Sequence, residues 1–270
     1  MMGFSKPISE QRRILDDLMA KAEKALKQSP RGTLVIETKA TKDEWYVNIK
    51  DEKRLYLPKT EELSARQMAQ ASYAKDFLKA AGKVRRELEQ IQALKGGRSA
   101  SVMFHALAEP YEKLSDARKK LVAPYVLPDE EFAAAWEAVP YQGKPFDPDA
   151  PEIYTERGER VRSKSEKMIA DKLYRMGLHY RYECPHVIRG IGTVYSDFTI
   201  LDLREREEVL HEHFGLMDQP EYLKTALWKI DQYEKSGHFP GRQLLCSFES
   251  ASHPIDLQSF EKMITDRFGL

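Results

Sequence analysis

The sequence predicts an α/β protein in two parts: a mainly α-helical N-terminal region with a small β-hairpin or meander, then a mixed sheet flanked by helices. Three observations carry this. Apolar residues recur at seven-residue spacing through the first half. In the second half the order is helix, three strands, helix, strand, helix, and strands joined through a helix imply a mixed sheet with helices packed on it. Between the halves stand Pro140, Pro145, Pro148 and Pro151, through which no helix can run. The expected division is therefore 1–139 for the helical region, 140–154 for a Pro-rich linker and 155–270 for the α/β domain.

In the first part, Ile8, Leu15 and Ala22 recur every seven residues, with Leu18 and Ala25 between them. That spacing predicts an amphipathic helix over 8–28, ending before Pro30. Two β-branched runs at 33–38 and 45–49, with a third at 55–57, predict the hairpin or meander. A helix of about 61–95 follows. Its start is expected at a capping box of Ser64 and Gln67, and its end at Gly96-Gly97. Phe77, Val84 and Ile91, offset by Ala74, Ala81 and Leu88, form a coiled-coil-like seam. The first helix is the expected mate of that seam, with a second copy of the chain as the competing one. Shorter helices are expected near 111–121 and 128–137.

In the second part, Ile169, Leu173 and Met176 place a helix over 163–176, stopped by Gly177. Strands are expected at 180–182, 194–201 and 209–214, with turns at 190–192 and 204–208. A helix from about 221 to 235, a strand at 244–248 and a closing helix near 256–267 complete the order.

Composition narrows the function classes. The 270 residues carry 43 Lys+Arg and 43 Asp+Glu, so any nucleic-acid contact must come from local patches. Two cysteines, Cys184 and Cys246, exclude a disulfide framework and a Cys-only zinc site. No apolar run approaches the roughly 18 residues that span a bilayer, and the first residues have no signal-peptide h-region. The expectation is a cytoplasmic protein without membrane contact. Phosphate-binding Gly-rich loops and the G-x-S-x-G elbow are absent from the sequence.

Three acids are candidates for chemistry. Asp197 and Glu212 each lie in a strand-like apolar run. An ionised carboxylate there is costly unless it is paired or binds a cation. Two such acids on neighbouring strands could collect a divalent metal through hard oxygen ligands. Exposure at strand ends, or pairing with arginine, is the plain alternative. Glu166 forms an S-x-x-E capping box with Ser163, and structural capping is its simplest use. Lys229 and Tyr233 share one face of the helix after Glu212. The lysine is either a solvated surface charge or a cation held over the acid pair. His211 and His213 alternate with Glu212; a zinc pair there would need a third ligand from elsewhere. Arg157, Arg160, Arg162, Lys164, Lys167 and Lys172 cluster around Glu166, as a solvated helix face or as a patch that admits a phosphodiester backbone.

Six short phrases in order turn these residues into a family pattern: Val161-Arg162-Ser163-Lys164-Ser165-Glu166, Tyr180-Arg181-Tyr182-Glu183-Cys184-Pro185, Ser196-Asp197-Phe198-Thr199-Ile200, Glu212-His213-Phe214-Gly215, Tyr222 with Lys229 and Tyr233, and 244–249. Residues 155–270 resemble the PD-(D/E)XK, or restriction-endonuclease-like, nuclease superfamily, in particular a bacterial subgroup sharing this SKSE…DFTI…EHFG…K signature. The resemblance implies a metal-dependent phosphodiesterase, a DNA endonuclease by expectation, using Mg²⁺ or Mn²⁺. It implies Asp197 and Glu212, with the His213 backbone carbonyl, as metal ligands. It implies Glu166 as the acid of the first core helix. Ser196 replaces the usual proline, and Phe214 replaces the lysine two residues after Glu212. Some branches carry that lysine on the following helix, where Lys229 stands. Arg162, Lys164 and Tyr233 are the expected nucleic-acid contacts. A homodimer or a helicase-type partner fits the same reading. The alternative is a catalytically inactive nucleic-acid-binding or oligomerising protein on the same fold.

Overall fold

The computed structural model describes residues 8–39, 42–50, 52–93, 103–188 and 192–270. The chain divides into two compact units, 1–132 and 133–270.

In the first unit, α1 (Ile8–Lys27) lies along α2 (Glu62–Ala93). The seam explains why: Leu15 and Ala22 from one helix, and Ala74, Phe77, Ala81, Val84 and Leu88 from the other, are buried in one core. The N-terminal helix is thus the mate within the chain. Gly96-Gly97 and the side chain of Ile91 lie outside the described residues. Strands β1 (Thr33–Thr38), β2 (Asp43–Asn48) and β3 (Leu55–Leu57) form an antiparallel meander in that order. Its Leu34, Trp45 and Val47 enter the same core. Gly32, at φ +112°, turns the chain into β1 where a Cβ would come within 2.5 Å of Val47 Cγ1.

Two local expectations are corrected. Ser64 is no N-cap: a 3₁₀ turn (Lys59–Glu61) leads into α2, and the Ser64 hydroxyl donates to Glu61 Oε2 instead. The helix expected near 111–121 is divided between α3 (Met103–Glu112) and α4 (Asp116–Lys119), because Ser115 takes an extended conformation between them. Gln70, the polar interruption in the seam, bonds both backbone groups of Ala123. Tyr73 stacks on Tyr125 beside it.

The division at 132/133 falls within α5 (Asp129–Glu137), ahead of the Pro-rich run. That run is not a free linker. Tyr141 donates to the Tyr182 carbonyl, Arg162 bonds the Lys144 and Pro145 carbonyls, and Phe146 lies under Arg160 and Arg162. Proline forbids helix there, but the freed carbonyls find donors in the second unit.

The second unit opens with a hairpin of β4 (Ile153–Tyr154) and β5 (Arg160–Val161), then α6 (Lys164–Arg175). Strands β6 (Tyr180–Tyr182), β7 (Pro185–Ile188), β8 (Gly192–Tyr195), β9 (Phe198–Asp202) and β10 (Glu207–Phe214) follow. After them come α7 (Pro220–Lys235), β11 (Leu244–Phe248) and α8 (Leu257–Phe268). The main sheet runs β11-β10-β9-β6, with β10 parallel to β11 and the other neighbours antiparallel. It is the mixed sheet expected. β7 and β8 pair separately as a hairpin; its connection at 189–191 lies outside the described residues. On one face Ile169 and Leu173 of α6 and Phe260 and Ile264 of α8 pack against Phe198, Ile200 and Val209. On the other, Tyr233 of α7 packs against Leu210 and Leu244.

Candidate active site

Glu212 sits in β10, and strand alternation puts it on the face covered by α7. Only 2% of its side chain meets solvent, and two residues of α7 satisfy it. Lys229 Nζ donates to Oε2 at 2.6 Å, and the Tyr233 hydroxyl donates to Oε1 at 2.6 Å. Tyr222, Ala226, Lys229 and Tyr233 follow helical spacing, so one face of α7 carries them all toward the sheet. Tyr222 accepts from the Gly215 N–H at 3.2 Å. The Lys229 side chain stays 29% exposed. Tyr233 has no exposed surface. The expectation that Tyr233 touches a nucleic-acid backbone is therefore corrected: its hydroxyl belongs to Glu212. Burial and the Glu212 charge both push its pKa up.

Asp197 is not inside a strand. The run 194–201 breaks at a bend, with β8 ending at Tyr195 and β9 beginning at Phe198. Its backbone carbonyl accepts from the Glu183 N–H at 3.1 Å, and its Oδ2 accepts from the His213 N–H at 2.6 Å. The β9–β10 ladder ends at Phe198 opposite His211. One step further along the same register, Asp197 stands opposite Glu212 on the α7 face. Burial first, then the Glu212 charge, pushes the Asp197 carboxyl up to about 8, against the opposing pull of the His213 N–H and Lys229. Asp197, Glu212 and Lys229 thus converge.

Glu166 is held at the start of α6. Tyr182 pairs with Phe198, which packs under α6, and the Tyr182 hydroxyl donates to Glu166 Oε2 at 2.7 Å. The same oxygen accepts from the Arg162 and Ser163 N–H groups, completing the capping box. Glu166 is a helix cap whose charge still reaches Asp197 and adds a lesser upward push. Arg162 is also engaged: its guanidinium forms a bidentate pair with Glu183, 2.8 and 2.9 Å. Glu183 holds φ +45°, a conformation uncommon for this residue, and its N–H supports Asp197. Arg162 therefore braces the site from behind. Lys164, on the first turn of α6, is exposed.

Sequence reasoning assigned no role to Glu183, Ser247 or Glu249. On the face opposite Glu212, Ser247 Oγ lies 3.0 Å from His211 Nε2 and 2.8 Å from His213 Nδ1. The Ser165 hydroxyl donates to Glu249 Oε1 at 2.8 Å and lies 2.9 Å from Oε2. Burial works to raise its pKa, but Ser165 and His213 outweigh that and hold it low. Glu249 stood within a family phrase; its long-range partners left no local signal. The histidines turn to Ser247, not to a shared ligand position, and burial drives His211 down to about 3.

Among the described residues no group of three or more His, Cys, Asp and Glu side chains is arranged as a metal site. The Asp197 and Glu212 carboxylates face each other across the end of the β9–β10 ladder. The backbone groups of Leu210 and Phe214 bond toward β11, so those of His213 leave β10 on the Asp197 side. Two carboxylates and a carbonyl, with water filling the rest, suit Mg²⁺, which keeps several waters and needs few protein ligands. The surplus of two acids, Glu212 buried and Asp197 half-buried, over one lysine is the observation that fits a cation there. No helix among the described residues is long and apolar enough to cross a membrane. No protein-family model, curated protein or solved structure matches the chain.

Proposed function

We propose that the protein is a metal-dependent phosphodiesterase of the PD-(D/E)XK type, a DNA endonuclease using Mg²⁺ or Mn²⁺. The observation that carries this is the meeting of Asp197, Glu212 and Lys229 from a bend, a strand and the next helix. A divalent ion bound there would supply Lewis-acid stabilisation of phosphate charge and an acidified water. Asp197 and Glu212 would hold it, with the His213 carbonyl. Lys229 Nζ, released from Glu212 Oε2 or shared with it, would orient the attacking water and hold a proton-bearing ammonium beside the developing negative charge. Tyr233 keeps Glu212 aimed while this happens. Phe214 fills the place where other members carry their lysine; it stacks on Phe248, and Lys229 supplies the amine from α7.

The test is cleavage of supercoiled plasmid and of labelled single- and double-stranded oligonucleotides with Mg²⁺ or Mn²⁺. Asp197→Ala should abolish cleavage, and Lys229→Ala should slow it by about 10²–10³-fold. Metal-dependent cleavage that survives Asp197→Ala unchanged would refute the assignment.

A second reading has one observation in its favour. Both Glu212 oxygens are already engaged by Lys229 and Tyr233, as in a closed structural ion pair. On that reading the unit binds nucleic acid without cutting it, alone, as a homodimer or beside a helicase-type motor. Retention of oligonucleotides in chelator, with no product at any metal concentration, would favour it.

A further inference from the structure

The acid pair occupies one face of the sheet, and the other face at the same end carries a second polar assembly centred on Glu249. This residue follows β11 directly, and it grips the end of β10 in two ways. Its own N–H donates to the Phe214 carbonyl at 2.9 Å, and its carbonyl accepts from the Met217 N–H at 3.1 Å. Its side chain reaches back beneath the strand. Oε1 lies 3.3 Å from Nε2 of His213, whose side chain is 4% exposed. That nitrogen is buried without an aligned hydrogen bond, so the contact is one of position.

The same carboxylate ties in two helices. Ser165, in the first turn of α6 beside the Glu166 cap, donates to Oε1 at 2.8 Å and sits 2.9 Å from Oε2. The Ile255 N–H, ahead of α8, donates to Oε2 at 3.3 Å. His213 is the link to the other face. Its ring is fixed between Ser247 and Glu249, and its backbone N–H holds Asp197 Oδ2 at 2.6 Å. A shift of that ring moves the N–H that aims Asp197.

We propose that Glu249 is a positioning residue for the Asp197–Glu212–Lys229 site, acting through the His213 ring and backbone on Asp197 and through Ser165 on the first turn of α6. It touches neither Asp197 nor Glu212 and lies behind the strand, so it holds the ligands in place without being one. The inference rests on the phosphodiesterase reading. Groups behind a metal's direct ligands commonly govern affinity or activity by about 10–100-fold.

The experiment measures Mn²⁺ uptake by calorimetry on the full chain, a readout independent of cleavage, with thermal unfolding and cleavage kinetics alongside. Glu249→Ala is expected to weaken Mn²⁺ binding by about 10–100-fold, and to lower kcat more than it raises KM for the oligonucleotide. Glu249→Gln keeps the shape and an acceptor for Ser165 but loses the charge facing His213. It is expected to weaken binding by about tenfold with an unchanged melting temperature, and it carries the test if the alanine variant does not fold. Wild-type uptake of Mn²⁺ with Glu249→Gln bound equally tightly would overturn the positioning role and leave the phosphodiesterase reading standing. No Mn²⁺ uptake by the wild type would overturn both.

Discussion

The two units handle polar groups in opposite ways. In the first, Gln11 is the one buried polar residue among those described, and charges such as Arg85 and Asp16 pair on the surface. In the second, Asp171, Arg181, Glu183, Asp202, Glu205, His211 and Glu212 are all buried. Burying ionisable groups costs stability unless each finds a partner, so a chain that does it repeatedly in one place is constrained by something besides folding. The first unit reads as a scaffold of apolar seams. The second spends stability on placing charges, and the place where they are least balanced is the Asp197–Glu212 pair.

The largest effect should come from the scaffold. Phe77→Ala removes a fully buried ring from the α1–α2 core and should cost about 3–5 kcal/mol in urea unfolding. A loss below 1 kcal/mol would mean that the apolar seam is not what holds this unit.

Next comes the buried ion pair. Lys229→Ala leaves Glu212 with Tyr233 alone. Breaking a fully buried pair costs about 3–5 kcal/mol; with the lysine partly exposed, about 1–3 kcal/mol is expected. Lys229→Ala combined with Glu212→Gln should recover most of that loss, because the unpaired charge is gone. A double variant no more stable than the single one would count against this account of the pair.

Asp197 sharpens the contrast through pH. Burial and the Glu212 charge push its carboxyl up to about 8 in the folded chain, against an ordinary 3.8. Between those values the folded state binds the extra proton, so stability is greatest at the low end and falls as pH rises, by at most about 1.4 kcal/mol per pH unit. Above about pH 8 this contribution is gone and the slope flattens. Asp197→Asn should remove the slope and be the more stable protein at pH 8, measured by urea unfolding in chelator at pH 5 and pH 8. A wild type whose stability rises across that range relative to Asp197→Asn would reverse the sign and break the picture of a desolvated acid.

The smallest effect belongs to the surface of the scaffold. Arg85→Ala breaks the 2.9 Å pair with Asp16, which is exposed to solvent and salt, so a change within about 1 kcal/mol is expected. A cost equal to that of Lys229→Ala would erase the distinction between the two units.

The elements with strong periodicity were legible along the chain. The α1–α2 seam and the Ser163 cap of α6 follow from local spacing, since each depends on neighbours three, four or seven residues away, and β11 at 244–248 follows from a short continuous apolar run. Spacing put Lys229 and Tyr233 on one face of α7 but left Lys229 open between a surface charge and a cation over the acids; the contact with Glu212 is decided by the packing of α7 on the sheet. The break of the strand at Asp197 could not be read along the chain, because the donors that stabilise it, the Glu183 and His213 N–H groups, come from distant segments. Arg162 and Tyr233 were expected at a nucleic-acid surface; each was instead claimed by an acid that sequence distance conceals. The contacts of the Pro-rich run are equally hidden in the sequence, the Lys144 and Pro145 carbonyls being satisfied by the Arg162 side chain.

Residue order by itself determined the class of architecture and the mixed character of the sheet. Those follow from short-range geometry that any chain with this pattern must obey. Tertiary contacts alone decided which carboxylate is left desolvated and unbalanced, which cations are already spent, and that Glu249 braces the site from behind. A charge's energy depends on what surrounds it in space, and those surroundings are assembled from positions that share no local spacing.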